Sequence, residues 1–115
     1  MSAQTAVEQV NSVRLVGRLG AEASETTLPS GSVLVAFRVV IDRPAEHESR
    51  QRVDALECTA WTPRVRRSAR SWRKGDLVEV EGAVRRRFFA TAHGRASRVE
   101  IEVSAARVIR RAPTA

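Results

Sequence analysis

The sequence predicts an all-β protein, a five-stranded barrel with one helix between its third and fourth strands. Apolar and polar residues alternate over several short stretches, which is the period of strands that bury one face. A single stretch, residues 63–74, instead carries its apolar residues at helical spacing and begins with a proline. With 115 residues, the chain is long enough for one compact domain and short for two.

The first two predicted strands precede a charged loop. Residues 10–19 alternate and form the first strand. A turn at residues 29–31, Pro-Ser-Gly, leads to the second strand at residues 33–41, whose outer face is also partly apolar. That face is therefore expected to be covered by a subunit or a ligand. Residues 43–52 are charged and lack an apolar period, which predicts a loop.

The third predicted strand, residues 53–61, separates small core residues from a tryptophan. Leu56, Cys58 and Ala60 share one side, and Trp61 stands on the other. We interpret Cys58 as a core residue, because a lone cysteine cannot form an internal disulfide. Trp61 is expected either to stack on a base or to pack at a subunit contact.

Residues 63–74 predict the helix. Thr62 suits the N-cap, Pro63 the first helical position, and Gly75 the position just past the end. An apolar stripe is expected to pack on the sheet, and it consists of Val65, Ala69 and Trp72. Six cations with no intervening acid occupy the remaining surface; they are expected to be a solvated face away from the binding site.

The last two predicted strands are joined by a turn. Residues 77–89 form the fourth strand, His93–Gly94 the turn, and residues 98–109 the fifth strand. Five strands with a helix after the third is the order of an OB-fold barrel.

One domain with loose ends is expected. The predicted barrel occupies residues 10–111, between a flexible N-terminus at residues 1–9 and a short flexible C-terminus at residues 112–115. The sequence has no apolar run long enough to span a bilayer and no secretory signal at its start. We therefore expect a cytoplasmic protein, associated with the nucleoid and without a membrane partner.

Charge favours a polyanionic partner. Lys and Arg number 20 against 13 Asp and Glu, a formal net charge of +7 that resides entirely in residues 53–115. Residues 82–89 add three arginines and two phenylalanines. At a period of two, Arg85, Arg87 and Phe89 share one face, which suits pairing of phosphates and stacking of bases. Phe88 falls on the opposite face and is expected in the core.

Four segments together resemble the bacterial single-stranded DNA-binding protein family. They are Asn11–Leu19, Gly31–Phe37, Lys74–Gly82 and Glu102–Ala105, in the right order. The resemblance implies an OB fold that assembles into a homotetramer and binds single-stranded DNA in basic grooves that carry rings. The chain resembles a short form of the family without the acidic C-terminal tail that recruits partner proteins.

The resemblance also indicates site residues. Trp61 and Phe89 match two of the family's four stacking positions, whereas Ala45 and Ala55 fall where the other two rings would be. Strand arginines are expected to contact phosphates in preference to helix arginines. The predicted DNA-binding residues are Trp61, Phe89, Arg14, Arg18, Arg38, Arg85, Arg87 and Arg95.

No catalytic or metal site is predicted, and no cofactor. His47 and His93 stand apart without a cysteine pair at ligand spacing. The strand glutamates alternate in the manner of exposed faces, and they are Glu79, Glu81, Glu100 and Glu102.

The predicted function is non-enzymatic binding and protection of single-stranded DNA, with little sequence preference, in replication, recombination or repair. An alternative is an OB-fold primosomal or replisome assembly factor that acts through contacts with replication proteins and binds DNA weakly. A nuclease or a Cys58-dependent activity is the third hypothesis. The residues do not discriminate DNA from RNA, because rings stack on the bases of both.

Overall fold

The computed structural model describes residues 7–114 of the chain and contains six strands and one helix within that range. The elements are β1 (Val13–Leu19), β2 (Ser24–Thr27), β3 (Val33–Asp42), β4 (Val53–Ala60), α1 (Pro63–Arg70), β5 (Leu77–Thr91) and β6 (Gly94–Arg110). The predicted flexible ends at residues 1–6 and at residue 115 lie outside the described residues.

Five of the strands close into a barrel. The sheet runs in the order β1-β5-β6-β4-β3, and β1 returns to pair with β3 through Arg18↔Val40 and Leu19↔Val39. The pairing of β4 with β6 is parallel, and the other pairings of the ring are antiparallel. The predicted all-β, five-stranded OB barrel is confirmed.

The predicted position of the helix needs one correction, because it lies between β4 and β5 and not between the third and fourth strands. The difference arises from β2, which the sequence reasoning missed. Its residues, Ser24 to Thr27, are all polar and exposed, so they give no apolar alternation. They form a strand because they pair with residues 33–36 of β3, a tertiary contact that no local pattern reports.

The helix is shorter than predicted. It ends at Arg70, four residues before Lys74, and its last turn is closed by bonds from Ser71 and Trp72 amides. Ending there allows Trp72 to enter the core, where its ring meets Phe37 edge to face at 5.0 Å. Gly75, with φ +90, belongs to the turn before β5 and donates its amide to the Leu19 carbonyl at 2.8 Å.

The barrel interior and the inner face of α1 form one apolar core. Cys58 and Trp72 are buried in it, as predicted. Phe88 is 60% exposed, so its predicted core position is wrong. The β5–β6 hairpin continues past the barrel, and nothing in the described residues covers that part of it. The core residues are Leu19, Val35, Phe37, Val39, Cys58, Ala60, Val65, Ala69, Trp72, Val78, Val80, Ile101 and Val103.

Two connections position the candidate site. Residues 43–52 form no helix or strand, as predicted, and the loop closes at its base where the Arg43 amide donates to the Arg52 carbonyl at 2.8 Å. The β5–β6 turn lies at residues 92–93, one residue earlier than predicted.

No helix among residues 7–114 has the length and apolar composition needed to cross a membrane.

Gly82→Ala is expected to destabilise the barrel. The register of β5 against β6 shifts between Glu81 and Gly82, and a Cβ at position 82 would overlap the carbonyl of Glu102 on β6. Extra atoms in packed positions cost about 1–3 kcal/mol, so the midpoint of urea unfolding should fall. Ala90→Ser, at an exposed position of the same strand, should leave the midpoint unchanged. An equal midpoint for the two variants would contradict the close approach of the backbones.

Candidate functional site

Outward side chains of four neighbouring strands share one surface, which we call the ring-bearing face. Register places them together, since β5 sets Arg85 and Arg87 opposite Glu100 and Arg98 of β6. The parallel pairing of β6 with β4 then brings in Thr59. The ring-bearing face consists of Arg38, Glu57, Thr59, Trp61, Arg85, Arg87, Phe89, Arg98, Glu100 and Glu102.

Trp61 directly follows β4, two residues before the start of α1, and is half-buried. The guanidinium carbon of Arg87 lies 6.0 Å from the centroid of its ring, within the range of cation–π attraction. Arg87 Nε also lies 3.4 Å from Glu100 Oε1, and the Thr59 hydroxyl donates to Glu100 Oε2 at 2.7 Å. The ring, the cation and the carboxylate are therefore fixed relative to one another.

Phe89 repeats this arrangement at the other side of the face. Its side chain is 36% exposed, and the guanidinium carbon of Arg98 lies 5.5 Å from the ring centroid. Arg98 Nη1 lies 3.8 Å from Glu57 Oε2, and Arg38 Nη2 donates to Glu57 Oε1 at 2.7 Å. Each ring on this face thus has a guanidinium beside it that can pair with an anion.

Carboxylates neutralise most of this positive charge. Arg85 Nε lies 3.7 Å from Glu102 Oε1, so the face carries four arginines against three glutamates. Glu100 is 4% exposed, which corrects the prediction that it lies on an exposed strand face. Phosphate groups that reach this surface would have to compete with carboxylates already in place.

A groove of about 440 Å³ lies beside the ring-bearing face, between the chain around Gly20 and the outer side of β3 and β4. Small residues line its floor, among them Ala36, Val40 and Ala55. Ala55 is one of the two positions at which the family resemblance leads us to expect a missing ring. The groove gives that position open space beside Arg38 and Glu57.

Three of the predicted arginines lie away from the ring-bearing face. Arg14 binds Glu79 on the outer side of β1 and β5, together with Arg107. Arg107 and then Arg14 hold the pKa of the Glu79 carboxyl below its ordinary value. Glu79 is 8% exposed, which corrects its predicted exposure.

The other two lie at opposite ends of β5, where Arg18 is opposite Leu77 and Arg95 is opposite Ala90. Arg18 Nη1 binds Asp42 Oδ1 at 3.0 Å at the closure of the barrel. Arg95 lies near the tip of the β5–β6 hairpin and, with Phe88 and Ser97, lines a shallow cavity of about 370 Å³ on the opposite side from Phe89. The structure therefore brings together Trp61, Phe89, Arg38, Arg85 and Arg87 of the predicted set.

Sequence reasoning missed Arg98 and the carboxylates of the ring-bearing face. Arg98 stands opposite Arg87 because the two-residue turn at 92–93 sets the register of the hairpin. The predicted turn at His93–Gly94 already puts Arg98 on this face, opposite Phe89, so the period of two along β6 was a sufficient signal. The contacts of Glu57 with Arg38 and Arg98 join three strands. No regular spacing of residues in the sequence predicts such contacts.

The described residues show no arrangement typical of a metal or thiol site. Burial raises the pKa of the Cys58 thiol to about 12, so the thiolate that reacts as a nucleophile is scarce at neutral pH. Among residues 7–114, no three His, Cys, Asp or Glu side chains come together to hold a metal ion.

Comparison with known proteins gives consistent matches over most of the chain. The sequence model described as "Single-strand binding protein family" matches residues 10–110. The chain is 29% identical over 87 residues to the "Single-stranded DNA-binding protein" of Halalkalibacterium halodurans, covering 75% of this chain and 52% of that protein. It is 28% identical over 86 residues to "Single-stranded DNA-binding protein A" of Bacillus subtilis, covering 74% and 50%. The chain spans about half the length of the curated relatives it matches.

Proposed function

Because the chain belongs to the single-strand binding protein family, we propose that it binds single-stranded DNA with little sequence preference on the ring-bearing face. The observation that carries the proposal is the pairing of each ring with a guanidinium, Trp61 with Arg87 and Phe89 with Arg98. Rings stack on any base, and cations track the backbone, so this combination gives sequence-tolerant affinity.

Binding proceeds by stacking of bases on the two rings and by exchange of anions at the arginines. A phosphate that approaches Arg38 or Arg85 takes the place of a glutamate carboxylate, Glu57 or Glu102, at the same guanidinium. The exchange reduces the net gain from each phosphate, because one ion pair is lost as another forms. We therefore assign most of the affinity of this face to stacking. Arg14, Arg18 and Arg95 stay predicted DNA contacts outside it.

The proposed role of this binding is to protect single strands and remove their secondary structure during replication, recombination or repair. Proteins of this family bind DNA and are not enzymes. As part of the same proposal, the protein acts in the cytoplasm, at the nucleoid.

We also propose a homo-oligomer, with four subunits as the family resemblance implies. Support comes from apolar side chains exposed on the side of the hairpin opposite the ring-bearing face. They are Val84, Phe88 and Val99, which are 40%, 60% and 49% exposed. Light scattering of the purified chain tests the number of subunits, and a monomer at micromolar concentration would contradict the oligomer.

A salt series tests the proposed binding. Affinity for a fluorescein-labelled oligo(dT), measured by anisotropy, is expected to fall linearly with salt on logarithmic axes, with a slope of about −0.7 for each phosphate neutralised. Duplex DNA of equal length should bind more weakly, because its bases are not available for stacking. A flat salt response, or no binding of oligo(dT) in dilute buffer, would contradict the proposal.

The second candidate function is that of an assembly factor for replication proteins. Ala45 and Ala55 favour it, since both are exposed and carry no ring, and stacking on two rings is weaker than stacking on four. Equal, weak binding of single and double strands, together with capture of a purified replication protein, would support this function over the first.

A further inference from the structure

The positive charge of the molecule is concentrated on and after α1. The arginines of the ring-bearing face are matched by carboxylates, whereas residues 62–75 contain six cations and no acid. Among the described residues, the contact of Arg70 with Glu25 is the one salt bridge that any of the six makes. The six are Arg64, Arg66, Arg67, Arg70, Arg73 and Lys74.

The packing of the helix directs this charge outward. Val65 and Ala69 are buried on one side of α1, and the buried Trp72 follows them. Arg64 and Arg67 are exposed and one turn apart, so their side chains project from the same side of the helix. Counterions gather at such unpaired cations and are released when phosphates replace them.

The helix directly continues the ring-bearing face. Trp61 is separated from the first helical residue, Pro63, by Thr62 alone. The Nε of Arg66 donates to the Trp61 carbonyl at 3.0 Å, so the first turn of the helix is fixed against the residue that carries the ring. A strand stacked on Trp61 is therefore next to the largest uncompensated positive charge of the described residues.

A depression beside Arg64 offers further donors. It has a volume of about 160 Å³ and lies between α1 and β6, where Ser68 and Ser104 line it together with Arg64. A guanidinium and hydroxyl groups are ligands for phosphate oxygens. The depression contains no ring, and Trp72 on the inner side of the helix is 3% exposed. This surface thus suits a sugar-phosphate backbone and offers no stacking platform for bases.

We infer that the exposed side of α1, with Arg64 and Arg67 at its centre, binds the backbone of the same single strand after it has passed Trp61. The inference rests on the proposed function and divides it between two surfaces. The ring-bearing face contributes stacking, and α1 contributes neutralisation of phosphates. The prediction that the helix cations are only a solvated face is then incomplete.

The test compares a short and a long oligo(dT), of about 4 and about 16 nucleotides, which bracket the length bound by one OB fold. The variant is Arg64→Gln with Arg67→Gln, since glutamine keeps the helix propensity of arginine. The control is Arg50→Gln with Arg52→Gln, at two exposed residues of the loop at 43–52. It removes the same charge from residues that belong neither to the ring-bearing face nor to the proposed subunit surface.

For the long oligonucleotide, the salt slope of the Arg64 and Arg67 variant should be smaller by about 1.4, twice the value for one phosphate. The short oligonucleotide, held at Trp61, should bind both variants and the wild type alike. An unchanged slope, or an equal change in the control, would overturn the inference and leave the proposed function standing. If the salt slope of the Arg64 and Arg67 variant falls by the same amount on duplex DNA, α1 binds the backbone of a duplex, and this result would also overturn the inference. Failure of the wild type to bind either oligonucleotide would instead refute the proposed function itself.

Discussion

Trp61→Ala is expected to weaken binding of oligo(dT) by about 5- to 150-fold, because a stacked base contributes roughly 1–3 kcal/mol. Its ring is half-buried beside Arg87, so the cation remains while the platform is lost. Anisotropy at fixed low salt gives the affinity. Quenching of tryptophan emission by poly(dT) should disappear with Trp61, since Trp72 is 3% exposed and out of reach of bases.

Two matched variants separate stacking from other effects. Trp61→Phe keeps an aromatic ring and should retain most of the affinity. Ile109→Ala removes an apolar side chain that is 42% exposed near the end of β6 and belongs neither to the ring-bearing face nor to the proposed subunit surface, so it should not change the affinity. If Trp61→Ala leaves affinity intact but alters the subunit number in light scattering, Trp61 packs between subunits and stacking is refuted.

Asp76→Ala is expected to lower the free energy of unfolding by about 3 kcal/mol, a large part of the 5–15 kcal/mol typical of a domain. The carboxylate is 1% exposed and accepts amide bonds from Arg73 and Ala112 at 2.9 and 2.8 Å. Its removal leaves both donors without a partner, at about 1–3 kcal/mol each. Arg111 loses its bond to the same carboxylate.

Urea unfolding measures this loss, and Asp42→Ala is the control. Asp42 also binds an arginine, but its side chain is 70% exposed, and surface ion pairs contribute less than about 1 kcal/mol. Equal midpoints for the two variants would contradict the structural role of Asp76.

The same site predicts a pH dependence. Amide bonds from Ala112 and Arg73 lower the pKa of Asp76 in the folded chain, whereas the unfolded value is about 3.9. The stabilisation is therefore fully present above about pH 4. It is lost as the pH falls through the folded pKa. The stability difference between the wild type and Asp76→Asn should be constant from neutral pH to about pH 5 and should shrink in stronger acid. A difference that does not change with acidification would contradict this assignment.

The strands of the barrel could be predicted because each buries one face, and burial leaves a period of two in the sequence. This holds for β3, where Val35, Phe37 and Val39 are all buried. It fails for β2, which is polar throughout. It also misleads for Phe88, whose alternation with Val84 continues after the barrel beneath it has ended. The period of two indicates which side chains of a strand could be buried. Whether another part of the structure covers them depends on the tertiary fold.

The rings and three arginines of the candidate site could be predicted because they share strand faces that a period of two defines. Their carboxylate partners could not, since Glu57 and Glu100 reach them across strands that are distant in sequence. A shift of the β5–β6 turn by one residue moves every cross-strand partner by two positions, which keeps Arg98 on the same face but opposite Phe89 in place of Arg87. The face of Arg98 could therefore be predicted, and its partners could not.

Closure of the barrel also limits aggregation of the protein through its strand edges. Among the strands of residues 7–114, β2 is the one that has a neighbour on one side only over its whole length, and an open edge is where foreign strands add on during amyloid growth. The edge of β2 is four residues long and wholly polar, and Glu25 of β2 forms a salt bridge with Arg70 of α1. Barrel closure thus leaves this edge on a segment too short and too hydrophilic to template a fibril. Other open edges lie on the β5–β6 hairpin beyond the barrel, where Arg85, Arg87 and Arg95 supply charge that opposes strand addition.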